Sequence, residues 1–195
     1  MNRIGMFGGT FDPPHLAHLI AGERAAEAYE LDKLLFVPAN VPPHKASLPI
    51  TPAEHRLAML RLAIEGNAKF EVSDLEMKRP SPSFTIDSLD EIKSRYGVSS
   101  IFLFIGFDQL AMFHSWKDYE RILSENTVVA MNRPSFDIIK SDPLLRERVR
   151  FLAIPQLEIS STDIRSRVRE GKSVRYFVPK NVSDYMEKHR LYQIQ

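Results

Sequence analysis

Short apolar runs alternate with amphipathic stretches along this chain. Runs at 3–7, 33–37, 70–72, 101–105, 127–131 and 150–153 have strand length and are rich in Ile, Leu, Val and Phe. Between them, apolar positions recur at helical spacing over 15–29, 52–65, 85–96, 108–113, 119–123, 161–170 and 181–189. This alternation predicts an α/β fold with a mostly parallel sheet flanked by helices. The chain after residue 154 reads as mostly helical, so one domain over 1–195 is expected to end in a small helical C-terminal subdomain. Segments 38–52 and 78–83 are rich in proline or polar residues and read as loops. Long loops at the carboxyl ends of parallel strands are where such folds bind ligands.

Composition narrows the class more than the fold. At 195 residues the chain can bury a full core. Its formal net charge of +1 gives no large basic surface for nucleic acid. With no cysteine it has no disulfide, thiolate metal site or cysteine nucleophile, which suits a reducing cytoplasm. No apolar run has the length of a membrane span, and the N-terminus meets its first turn too early for a signal peptide. No membrane partner is expected, and the sequence leaves room for a homo-oligomer.

The candidate chemistry begins where the first apolar run meets Gly8-Gly9-Thr10-Phe11-Asp12-Pro13-Pro14-His15-Leu16-Ala17-His18. Glycines let a backbone approach a ligand with no Cβ in the way. The helix that follows offers unpaired N–H groups and the positive end of its dipole to an anion. Pro13 and Pro14 suit a helix entry. His15 and His18, three apart, share one face near that entry. A tight strand-to-helix turn with two surface histidines would explain the glycines by themselves. It does not explain Phe11, Asp12, Pro13 and both histidines in register.

A second candidate lies at Ser160-Ser161-Thr162-Asp163-Ile164-Arg165. Ser160 and Asp163 fit a capping box, and Gly171 fits the helix stop. Capping requires neither three consecutive hydroxyl residues nor an arginine one turn in. Hydroxyls, bare N–H groups and a guanidinium at one helix end make a second anion site.

The first pattern, G-G-T-F-D-P-x-H-x-x-H, resembles the signature of the nucleotidylyltransferase superfamily, with Ala17 where that signature usually has glycine. Residues 159–165 resemble its I-S-S-T-x-I-R motif. Further segments resemble one branch, the bacterial nicotinate-nucleotide adenylyltransferases: Val-Pro-Ala-Asn-Val-Pro-Pro-His-Lys at 37–45, His-Arg-Leu-Ala-Met-Leu at 55–60, Pro-Ser-Phe-Thr-Ile-Asp-Ser-Leu at 82–89, and Phe-Ile-Gly-Phe-Asp-Gln-Leu at 104–110 with Phe-His-Ser-Trp at 113–116. The chain departs from that branch at Phe84, often tyrosine there, at Phe107, often a small residue, and at Ser135-Phe136, where Gly-Tyr is common.

The resemblance implies a Rossmann-like nucleotidylyltransferase fold and adenylyl transfer from ATP to nicotinate mononucleotide. It implies that His18, His15 and Arg165 are the catalytic groups. It assigns Gly8, Gly9, Thr10, Phe11, Gly106, Asp108, Ser160, Ser161 and Thr162 to ATP together with them. It assigns Asn40, His44, Lys45, Ser83, Thr85, Trp116 and Arg133 to the mononucleotide. Arg56 reads as a helix-face residue and is assigned no role. Mg²⁺ is expected to be held mainly by ATP phosphates and water rather than by a protein metal site. Three alternatives stay open: another adenylyltransferase, such as one acting on pantetheine phosphate; a metallohydrolase using His15 and His18; and a nucleotide-binding sensor without catalysis.

Overall fold

The computed structural model describes residues 3–40, 50–80, 82–132 and 147–193. Among these residues six strands form one sheet: β1 (Ile4–Gly9), β2 (Lys33–Pro38), β3 (Phe70–Val72), β4 (Phe102–Gly106), β5 (Thr127–Asn132) and β6 (Arg150–Ala153). Their order is β3-β2-β1-β4-β5-β6, and every pairing is parallel. The order reverses between β1 and β4. A crevice opens at such a switch point, beyond the carboxyl ends of the strands. Here those ends are Gly8-Gly9 and Gly106.

Alternate strand residues feed two cores, because successive side chains point to opposite faces. Met6, Leu35, Leu103, Ile105 and Val128 pack on one face with Ile86, Leu89 and Ile92 of α3 (Thr85–Tyr96) and Ile122 of α5 (Tyr119–Glu125). Phe7, Leu34, Phe36, Phe104 and Val129 pack on the other with Ala21, Ala25 and Ala26 of α1 (Leu16–Ala28). A third cluster joins Met59 of α2 (Ala53–Ala63) to the C-terminal helices α6 (Ser161–Arg169) and α7 (Lys180–Lys188), through Ile164, Val182 and Met186. The helical C-terminal segment thus has its own packing seam against α2.

The expected six-strand, mostly parallel α/β architecture is the one observed. One helix differs. The stretch expected as a helix over 108–113 divides into α4 (Phe107–Leu110) and a 3₁₀ turn at Phe113–Ser115. Phe107, Leu110 and Phe113 are all buried, at intervals of three. The chain leaves the α-helix after Leu110 and tightens into the 3₁₀ turn that carries Phe113.

Candidate active site

β1 runs straight into the glycine turn. Gly8 is open, with only the Met6 terminal methyl as near as 4.0 Å to where a Cβ would stand. Gly9 differs: a Cβ there would meet the Phe11 ring at 2.9 Å. Its lack of a side chain is needed for packing. Phe11 itself takes a left-handed φ of 49° and is buried. That conformation costs a bulky residue about 1–3 kcal/mol. The ring offsets it by filling the space under the turn, edge-on to His18, with centroids 4.9 Å apart, and to Phe36, at 5.8 Å.

His15 caps α1 from a β conformation, and its ring stacks on His18 with centroids 3.6 Å apart. The His15 main-chain N–H donates to His18 Nδ1 at 3.2 Å. An Nδ1 that accepts carries no proton, so the neutral ring holds its proton on Nε2, where it can donate. Burial, and next the charge of His15, hold the His18 pKa well below the ordinary histidine value.

The C-terminal segment closes on this turn. The Ser161 hydroxyl donates to the Pro13 carbonyl at 2.9 Å, and Arg165 Nη1 donates to the Asp12 carbonyl at 2.8 Å. The Leu16 N–H, the first of α1, donates to the Phe177 carbonyl at 2.9 Å. That amide was expected to be open to a ligand, and the C-terminal segment already uses it. Ser160 caps α6 by accepting from the Asp163 N–H at 3.1 Å, and Arg165 Nη2 donates to the Thr162 hydroxyl at 3.2 Å. Beyond Gly171 (φ 66°), Lys172 N–H reaches the Arg167 carbonyl at 2.8 Å, the stop the sequence suggested. The N-termini of α1 and α6 therefore flank one space, and the early amides of a helix have no carbonyl of their own.

Two cavities meet at the switch point. The first, about 510 Å³, is lined by Gly8, Thr10, Phe11, His15 and His18 from the turn. Gly106 and Asp108 line it from β4 and α4, and Ser160, Ser161, Thr162 and Arg165 from α6 and its cap. Asp108 is exposed one residue inside α4, whose cap is Gly106. The second cavity, about 290 Å³, is lined by Gly9, Ser83, Thr85, Glu76, Trp116 and Lys117, among others. Gly8, Thr10 and Gln109 belong to both. Gly9 therefore faces the second cavity and not the first, where it was expected.

Trp116 is half-buried against Phe113, with ring centroids 5.0 Å apart. Thr85 opens α3 at its first helical position, so the helix has no carbonyl for its N–H. The Ser83 hydroxyl oxygen is buried and has no hydrogen-bond partner among the described residues. Asn40 is turned away: its side chain donates to the Arg79 carbonyl at 3.3 Å, and it lines neither cavity. His44, Lys45 and Arg133 lie outside the described residues.

Three supporting groups were given no role by the sequence reading. Asp12 is 4% exposed, and its carboxylate accepts from the Tyr192 hydroxyl at 2.6 Å and the Thr51 N–H at 3.3 Å. Arg56 is 2% exposed, and among the described residues it bonds main-chain carbonyls. Glu76 is buried in the wall of the second cavity and accepts from the Ser88 hydroxyl at 2.8 Å. Burial pushes its carboxyl up, and the Ser88 bond works against that shift. Asp12 and Arg56 stand within the motifs the sequence shows at 8–18 and 55–60, whereas Glu76 lies in no motif.

The cytidylyltransferase-like family profile matches residues 6–167. A Thermus thermophilus protein bearing the name probable nicotinate-nucleotide adenylyltransferase is 45% identical over 98% of this chain and 100% of its own. One of the same name from Thermomicrobium roseum is 40% identical over 99% of this chain and 92% of its own. The solved Plasmodium falciparum nicotinic acid mononucleotide adenylyltransferase complexed with NaAD shares the fold, with a TM-score of 0.81, 22% identity and 98% of each chain covered. The chain belongs to the cytidylyltransferase-like family and, within it, to the nicotinate-nucleotide adenylyltransferases.

Proposed function

We propose that the chain transfers the adenylyl group of ATP to nicotinate mononucleotide, giving nicotinate adenine dinucleotide and pyrophosphate. The carrying observation is that two cavities, one rimmed by two helix N-termini and the other by an aromatic ring, share Gly8, Thr10 and Gln109. Two substrates seated there face each other across the end of β1.

The acceptor brings its own nucleophile, a phosphate oxygen. It attacks the α-phosphorus of ATP, the α–β bridging P–O bond breaks, and pyrophosphate leaves with that electron pair. The protein supplies alignment and charge. His18 donates from Nε2 to the phosphates, with His15 beside it. Arg165 and the Ser161 and Thr162 amides take the β/γ end, while Ser160 works indirectly as the cap of α6. Gly106 and Asp108 border the nucleoside. On the acceptor side, Trp116 stacks on the pyridine, Ser83 offers its hydroxyl, and the Thr85 amide faces the ring substituent. His44, Lys45 and Arg133 complete that side in this reading.

The described residues contain no cluster of three metal-ligating side chains. The Asp108 carboxylate and the hydroxyls of the first cavity are hard oxygen donors, which fits Mg²⁺ keeping most of its shell as phosphate oxygen and water. When bound, the ion neutralises phosphate charge. No helix among the described residues is long and apolar enough to cross a membrane, and we place the reaction in the cytoplasm. Isotopic label tests the reaction: phosphorus labelled at the α position of ATP should enter the dinucleotide, and label at the β position should leave in pyrophosphate. Label from the α position in free AMP alone would contradict it.

A further inference from the structure

Arg56 lies on the inner face of α2, 2% exposed, beside Met59 and Leu60. Its guanidinium donates through Nε to the Thr51 carbonyl at 2.9 Å, and through Nη1 to the carbonyls of Thr10 at 2.9 Å and Ala39 at 2.7 Å. Through Nη2 it donates to the Asn40 carbonyl at 2.9 Å. Those carbonyls belong to three separate segments. Thr10 follows β1 and lines both cavities, and Ala39 follows β2 and lines the second. Thr51 enters α2, and its N–H is held in turn by the Asp12 carboxylate at 3.3 Å. One rigid planar group thus spans the loops that border both cavities.

Stability does not account for this choice. A buried guanidinium carries a desolvation cost that an apolar side chain at the same site avoids, and the nearby Asp12 carboxylate offsets only part of it. What the planar fork adds is registry. Its donors have fixed angles, so Thr10 cannot shift relative to Ala39 and Asn40 without breaking a bond.

We propose that Arg56 is a positioning residue that sets the spacing between the two substrate loops, and so the approach of the acceptor phosphate to the α-phosphorus. This rests on the adenylyl-transfer reading above. Arg56 touches neither substrate. Its effect falls on the alignment of the two, not on the affinity for either.

Lysine at this position keeps the charge but gathers its N–H groups on one nitrogen, which cannot serve both edges of the fork. Arg56→Lys is therefore expected to lose about 100-fold in kcat, the scale of a misplacement near 1 Å. Its KM for each substrate should stay within about threefold of native, since ground-state contacts are unchanged. In Arg56→Ala, added millimolar guanidinium should raise kcat while the same concentration of ammonium should not. If the alanine variant does not fold, the lysine variant still decides. A lysine variant that turns over like the native chain overturns the inference, and so does a loss carried by KM. A native chain that forms no dinucleotide from ATP and nicotinate mononucleotide overturns the activity reading itself, and this inference with it.

Discussion

The Tyr192 hydroxyl donates to the Asp12 carboxylate across 2.6 Å, joining residues 180 positions apart. Asp12 is at the centre of the glycine turn and Tyr192 is three residues from the end of the chain. Together with the Ser161–Pro13 and Arg165–Asp12 bonds, this contact makes the C-terminal segment a wall of the first cavity.

Tyr192→Phe tests that wall. It removes one donor from a buried carboxylate and keeps the ring. Leaving a buried polar group short of a partner costs about 1–3 kcal/mol, a fall in Tm of about 2–12 °C for a chain of this size. Thermal melting at neutral pH measures it. An unchanged Tm would mean the contact does not hold the segment down.

His18 carries the clearest pH signature. Its pKa lies well below the usual 6.5. The ring is therefore neutral at pH 7 and donates from Nε2. A depressed native pKa also means that the stability tied to the neutral ring is present above about pH 6.5, and is lost as the pH falls through the lower native value. For the free enzyme, kcat/KM for ATP should show no His18 titration between about pH 6.5 and 8. His18→Ala should stay folded and lose about 100-fold or more in kcat, the cost of one preorganised donor. A pH-rate step near 6.5 that disappears in the variant would contradict the neutral-donor role.

Trp116 separates the two cavities energetically. Stacking of an aromatic side chain on a base is worth ~1–3 kcal/mol, so Trp116→Ala should weaken the mononucleotide by roughly 5- to 150-fold. ATP affinity should barely change, because the ring lines only the second cavity. Calorimetric titration of each substrate alone distinguishes this from a general packing loss, which would weaken both.

The acid form of the mononucleotide should be preferred over the amide. The Thr85 amide opens α3 at the second cavity, and the Lys117 amide follows Trp116. Two N–H donors suit a carboxylate, which accepts on both oxygens, whereas a carboxamide turns its NH₂ toward one of them. A lost charge-assisted bond and an unpaired donor, each ~1–3 kcal/mol, predict a preference of at least ~100-fold in kcat/KM. Equal values for the two mononucleotides would contradict this geometry.

The strands and the two turns that line the first cavity were legible because each has a local signature. Apolar runs marked all six strands, and Gly8 to His18 and Ser160 to Arg165 are contiguous motifs. What escaped depends on distance or on packing. Arg56 finds carbonyls, which every residue has, so no partner residue type pointed to it. Tyr192 meets Asp12 only after the C-terminal segment folds back. Gly9 read as a ligand approach, yet it is required by the Phe11 ring beneath it. The stretch expected as one helix over 108–113 is divided between α4 and the 3₁₀ turn, and the three buried residues Phe107, Leu110 and Phe113 still face the core.

Acceptor-dependent release of pyrophosphate from ATP tests the central claim most directly. With Mg²⁺, ATP and nicotinate mononucleotide, the native chain should release pyrophosphate and form nicotinate adenine dinucleotide in equal amounts, and with ATP alone it should release essentially none. Release at the same rate without the mononucleotide, or no release with it, would contradict the account.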